Sequence, residues 1–148
     1  MKPDRLTGFA TSNPEDPYRL DENGFPFDIP QQAALDILQT NKEEPIFLYY
    51  ATWLVHEPIV MRREALLRKY EAKLGVTLKP EHATTWKIPG QTNPFYCAMV
   101  EQLDYYVGQI LQYLESNDDP RWPGHKLMEN TYVFFTSDNL SLIHISEP

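Results

Sequence analysis

Two short stretches of this 148-residue chain concentrate the side chains able to do chemistry. The first is Thr52-Trp53-Leu54-Val55-His56-Glu57-Pro58, and the second is Ser137-Asp138-Asn139. An imidazole such as that of His56 can hold an anion or shuttle a proton, although a histidine before Glu-Pro is just as readily a turn residue. Asp138 and Asn139 set a charged carboxylate beside a neutral amide oxygen, the donor types that a hard cation such as Ca²⁺ or Mg²⁺ takes. Two such donors fill only part of a shell of roughly six to eight. An Asp-Asn pair after a strand is also an ordinary turn or cap. Spacing alone leaves these readings open. His82, in a stretch without periodicity, and His125, in Pro123-Gly124-His125-Lys126, read as loop and surface residues. Cys97 faces into a helical pattern and reads as a small core residue rather than a nucleophile.

The elements that must position these groups follow from hydrophobic periodicity. Pro45 opens Ile46-Phe47-Leu48-Tyr49-Tyr50-Ala51, a continuous apolar run that fits a strand buried on both faces of a parallel sheet. Thr131-Tyr132-Val133-Phe134-Phe135-Thr136 reads as a second such strand. Between and around them lie three helical patterns. One covers 30–40, with Ala33, Ala34, Ile37 and Leu38 as its stripe. Another covers 61–74, with Leu66, Tyr70 and Leu74 in register, Gly75 as its stop and Glu64–Arg68 as a solvated pair. The strongest starts at Asn93-Pro94, carries Met99, Leu103, Val107, Ile110, Leu111 and Leu114, and stops in Asn117-Asp118-Asp119-Pro120. Strand, helices, strand is a crossover unit, hence an α/β fold. Parallel strands of an open sheet gather reactive groups beyond their C-terminal ends, which puts His56 and Asp138 at one edge. For strands one or two apart, these residues would lie within about 5–15 Å.

Composition bounds the partners. With 13 Lys+Arg against 21 Asp+Glu and a net charge of -8, the chain lacks the basic surface that nucleic acids or anionic membranes need. At 42% hydrophobic and 13% aromatic residues it is too apolar for a disordered segment. Its richest apolar stretch, 46–55, is far short of the roughly 20 residues of a membrane span. One cysteine excludes an internal disulfide and a cysteine-based zinc site. No apolar run follows Met1-Lys2-Pro3-Asp4-Arg5, so no secretory signal is visible. Residues 1–30, punctuated by five prolines, read as a loop inside a larger domain. Residues 140–148 resemble the in-frame translation of a transposase sequencing adapter and are set aside as foreign, His144 included. The expected organisation is therefore an internal piece of a domain over 1–139 and an artefactual tail over 140–148.

Several blocks together resemble the type I, formylglycine-dependent sulfatases. Pro45-Ile46-Phe47-Leu48-Tyr49-Tyr50-Ala51 followed by Val55-His56-Glu57-Pro58-Ile59 is similar to the family's PFFLYY…VHTPI block. Residues 100–108 resemble the helix before its metal strand, and 131–139 resemble NTYVFFTSDNGG, cut after its Asn. The resemblance implies an alkaline-phosphatase-like α/β/α sandwich with a parallel-rich sheet, incomplete here. It implies a sulfuric ester hydrolase of arylsulfatase type acting on a small-molecule or glycan sulfate ester, with members often periplasmic or secreted. It implies Ca²⁺ as cofactor, with Asp138 and Asn139 among its ligands and His56 contacting the sulfate, and a formylglycine nucleophile expected upstream. Cys97 is followed by Ala98-Met99-Val100-Glu101, so it does not match Cys-x-Pro-x-Arg, and Ser12-Asn13-Pro14-Glu15-Asp16 lacks the final arginine of the serine form. Without the nucleophile the piece is expected to be inactive alone. A phosphate or phosphonate ester hydrolase of the same superfamily, and a non-catalytic binding module on this fold, are the alternatives. Asn139 leans against the former.

Overall fold

The computed structural model describes residues 4–85, 87–88 and 92–136. Three α-helices carry it: α1 (Ile29–Asn41), α2 (Glu64–Leu74) and α3 (Pro94–Ser116). Short 3₁₀ turns lie at Pro80–Ala83 and Leu127–Asn130.

The first and third helices begin where a side chain satisfies orphan N–H groups, and α2 begins without such a cap. The Asp28 carboxylate accepts from the Gln31 N–H at 3.0 Å, and Pro30 occupies the first turn of α1. Asn93 Oδ1 accepts from the N–H groups of Phe95 and Tyr96 at 3.0 and 3.3 Å, which fixes the start of α3. The second helix starts at Glu64, later than the expected Met61, because Arg63 is extended. Met61, 1% exposed, is a core residue standing ahead of the helix rather than in it. Gly75 ends α2 at φ 64°, and its N–H and that of Val76 bond back to Ala72 and Glu71.

Two apolar clusters hold the helices. In the first, Leu66 and Leu67 of α2 meet Phe95, Ala98, Met99 and Tyr106 of α3, with Phe25, Ile59 and Met61 from the irregular chain. In the second, Ala34 and Leu38 of α1 meet Ile110 and Leu114 of α3 and Leu127 of the last 3₁₀ turn. The periodicity of α3 thus buries a stripe that includes Tyr106, while Leu103, Val107 and Leu111 are only half-buried. Tyr106 enters the core because its hydroxyl is paired: it donates to the Pro26 carbonyl and accepts from Gln102 Nε2. Burial pushes that phenol far above its ordinary pKa. Similarly, Ala33 and Ile37, expected on the buried stripe of α1, face outward.

The expected pair of doubly buried strands forms no sheet among the described residues. Among the described residues there is no β-ladder, and no backbone hydrogen bond between described residues reaches 46–51 or 132–136. In 46–51 burial alternates: Ile46, Leu48 and Tyr50 pack on the second cluster, while Phe47 is 94% and Tyr49 80% exposed. Alternation with a period of two is the side-chain pattern of a strand lying on one layer of helices. In 131–136 even that cover is missing, with Phe134 88% exposed. A run of apolar residues reports what a segment needs around it, and the neighbours that would supply it are not among the described residues.

Candidate active site

The 46–51 segment delivers the chain into the His56 loop. Leu54 and Val55 pack against the first cluster on entry, and Ile59 is buried in it on exit. Between these anchors Trp53 and His56 remain exposed. The loop is closed by its own hydrogen bonds: the His56 N–H donates to the Trp53 carbonyl at 2.7 Å, and the Leu54 N–H to Thr52 Oγ1 at 3.1 Å. The Leu54–Val55 and Glu57–Pro58 peptide bonds are cis.

Within the loop the imidazole is oriented. Its Nδ1 lies 2.8 Å from the Glu57 carbonyl oxygen. A carbonyl only accepts, so Nδ1 carries the proton and Nε2 is left for another partner. Nε2 accepts a proton in the neutral ring and donates to an anion once the ring is an imidazolium. Trp53 stands edge-on to the ring, 6.2 Å between centroids at 78°.

The exit of the loop is held from the N-terminal segment. Arg5 Nε donates to the Ile59 carbonyl at 2.7 Å, and the Arg5 N–H to the Ala83 carbonyl at 3.0 Å. Further along, the Ala10 N–H donates to the Arg62 carbonyl at 2.7 Å and Arg62 Nη1 to the Gly8 carbonyl at 3.0 Å. Sequence reasoning missed Arg5, since a charged residue in irregular chain carries no periodic signal of burial.

The other candidates take structural places. His82 Nδ1 accepts from the Lys79 N–H at 2.8 Å in the 3₁₀ turn. His125 stacks on Trp122 at 3.7 Å and bonds to Glu129 at 2.9 Å, on the surface as expected. Cys97 is a half-buried helical residue of α3. Asp138, Asn139 and the tail from Leu140 lie outside the described residues, and so does the expected proximity of His56 to Asp138. Among the described residues no three His, Cys, Asp or Glu side chains converge to hold a metal ion, and no helix is long and apolar enough to cross a membrane.

A separate polar cleft of about 350 Å³ opens between the start of α1 and the middle of α3, lined by Asp21, Asp28, Tyr105 and Gln109 among others. Tyr105 stacks on Phe25 at 3.8 Å and donates to Asp21 at 2.7 Å. Burial raises the Asp28 carboxyl above its ordinary value. Nearby, burial and then the Asp28 charge push the Tyr50 phenol up to about 12; its hydroxyl is enclosed without hydrogen-bond geometry to that carboxylate. The cleft shares no residue with the His56 loop.

Comparison with known proteins decides what this loop belongs to. The sequence pattern of the family described as Sulfatase matches residues 12–146. The chain belongs to the sulfatase family. A "Sulfatase" of Formosa agariphila is 38% identical over 104 residues, covering 68% of this chain and 16% of that protein. The "N-acetylgalactosamine-6-sulfatase" of Mus musculus is 30% identical over 110 residues, and that of Rattus norvegicus 28%, each covering 73% of this chain and 15% of the relative. No solved structure matches the chain significantly. The chain therefore spans about one-sixth of the length of these sulfatases. Family membership carries the alkaline-phosphatase-like α/β fold, within which the three helices are the described part.

Proposed function

We propose that these residues are part of the catalytic domain of a sulfuric ester hydrolase, with His56 as the contact to the sulfate group. The observation that carries the reading is the fixed imidazole. Its Nδ1–H is held by the Glu57 carbonyl, so Nε2 is the ring atom left to face an anion, to which it donates when the ring carries both protons. Exposure of Trp53 and His56 on a loop pinned at both ends supports a contact made at the rim of a site.

Asp138 and Asn139 fit part of a hard-cation shell by the chemistry of their donors, a carboxylate and an amide oxygen. They would hold Ca²⁺, or Mg²⁺ on ligand type alone, with the remaining ligands supplied from outside this sequence. When bound, such an ion polarises the sulfate and the attacking oxygen. No Cys-x-Pro-x-Arg occurs in the 148 residues, so the nucleophile is assigned elsewhere in the polypeptide. A sulfated glycan is the favoured substrate class, in line with the N-acetylgalactosamine-6-sulfatases among the relatives. Segment 46–51, covered on one face, and the exposed segment 131–136 are read as strands of a parallel-rich sheet whose other members come from the rest of that domain, and 140–148 as foreign to it.

Sequencing the intact gene tests the proposal. Cys-x-Pro-x-Arg or its serine form should precede this stretch, and glycines should follow Asn139. A gene lacking both nucleophile forms would leave a binding module on the same fold.

A further inference from the structure

Arg5 is 5% exposed and its Nη1 is buried with no hydrogen-bond partner among the described residues. Among the described residues no carboxylate pairs with it. A buried guanidinium without a counter-charge is an expensive way to fill space, and an apolar side chain of similar volume would do so at lower cost. Among the described residues, the one polar contact of the Arg5 side chain is the 2.7 Å bond from Nε to the Ile59 carbonyl. Ile59 is the buried residue at which the His56 loop re-enters the core. Only Glu57 and Pro58 separate it from His56, and proline fixes its own φ, so little slack remains between the clamp and the imidazole.

The surrounding contacts repeat the arrangement. Arg5, Gly8 and Ala10 bond in turn to Ile59 and Arg62, so the N-terminal segment runs as a strap along the chain that leaves the loop. Leu6 and Phe9 of the strap pack against the same cluster as Leu54, Val55 and Ile59. We propose that Arg5 is a positioning residue for His56: it clamps the Ile59 carbonyl and thereby holds the loop in the shape that orients the imidazole. The inference rests on the reading of His56 as the sulfate contact, but its mechanics do not involve sulfate.

The test is NMR on the full 148-residue chain without added anion. In wild type the His56 imidazole should show one tautomer, protonated at Nδ1, and the His56 amide, bonded to Trp53, should exchange slowly. Arg5→Met removes the donor while keeping an unbranched side chain. It should let the ring average between tautomers and speed His56 amide exchange about tenfold or more, the loss expected for a charge-assisted hydrogen bond. Arg5→Lys, which can still donate to Ile59, should restore most of the protection. A folded Arg5→Met protein with an unchanged His56 tautomer and unchanged exchange would overturn the proposal. If Arg5→Met does not fold, the wild-type Arg5 Nε–H decides. Slow exchange with a through-bond coupling to the Ile59 carbonyl supports the clamp, and rapid exchange overturns it. A parallel titration with inorganic sulfate followed at His56 Nε2 reports the site reading separately, so failure of one is not failure of the other.

Discussion

Arg121 closes on Asp119, two residues earlier, with its backbone N–H at 2.8 Å and its guanidinium at 3.2 and 3.3 Å from the carboxylate. Asn130 Nδ2 adds a fourth donor at 2.9 Å. This knot ties the turn after α3 to the last 3₁₀ turn, whose Leu127 closes the second cluster. The guanidinium and the amide donors hold the Asp119 carboxyl down from 3.8 to about 2. A depressed carboxyl stabilises the fold above its unfolded value, and that contribution is lost as protonation proceeds. Thermal midpoints should therefore fall as pH drops from 3.8 towards 2. In Asp119→Asn that part of the pH dependence should flatten, with a lower midpoint at neutral pH. An unchanged acid limb would show that the knot is not the titrating element.

Phe95 is fully buried in the first turn of α3, against Leu67 and Met61. Phe95→Ala should cost about 3–5 kcal/mol through lost burial and a residual cavity. Urea unfolding reads this directly, and a loss below about 1 kcal/mol would mean the first cluster does not carry the fold.

The helices and the caps at Asn93-Pro94 and Gly75 were legible in the sequence because their signals are local. The Asp28 cap and the start of α2 at Glu64 were not read. Tyr106 was not legible as core, since its burial depends on a carbonyl eighty residues away at Pro26. Arg5 escaped for the same reason, its partner Ile59 being distant in sequence. The apolar character of 46–51 and 131–136 was plain, but a ladder needs neighbours, and none is formed among the described residues. Of the candidate site, His56 stood out by residue type and place, and only the family resemblance implied a role for it. The hydrogen bond that fixes its tautomer emerges only from the loop's geometry.

Phe47, Tyr49, Tyr132, Phe134 and Phe135 together expose a large aromatic surface. Such surface binds dyes and drives association. The isolated chain should enhance ANS fluorescence and self-associate with concentration. Phe47→Lys with Phe134→Lys should reduce both while leaving the thermal midpoint nearly unchanged, because neither ring packs in the fold. A sharp drop in midpoint would place these rings in a contact the structure does not show.

Lys69 Nζ lies 2.6 and 2.8 Å from the Glu101 oxygens, and Tyr70 Oη donates to the same carboxylate at 2.9 Å, joining α2 to α3. Burial and then Glu101 push the Tyr70 phenol up to about 12. Glu101→Gln should lower the titration of Tyr70, followed by NMR, while changing stability by no more than about 1 kcal/mol, since Lys69 is half exposed. A Tyr70 titration unmoved by the substitution would assign the whole shift to burial.

The 148 residues alone should release no sulfate from an aryl sulfate, with or without Ca²⁺, because they contain neither Cys-x-Pro-x-Arg nor its serine form. The most direct test of the account is made on the intact enzyme that contains this stretch. Assayed side by side on an aryl sulfate and the matching aryl phosphate, it should favour the sulfate. His56→Ala should lower kcat/KM for the sulfate by about 10²–10³-fold, the scale of losing one donor to a developing anion. Unimpaired sulfate hydrolysis in His56→Ala, or turnover of the phosphate ester alone, would contradict the assignment of this loop to sulfate.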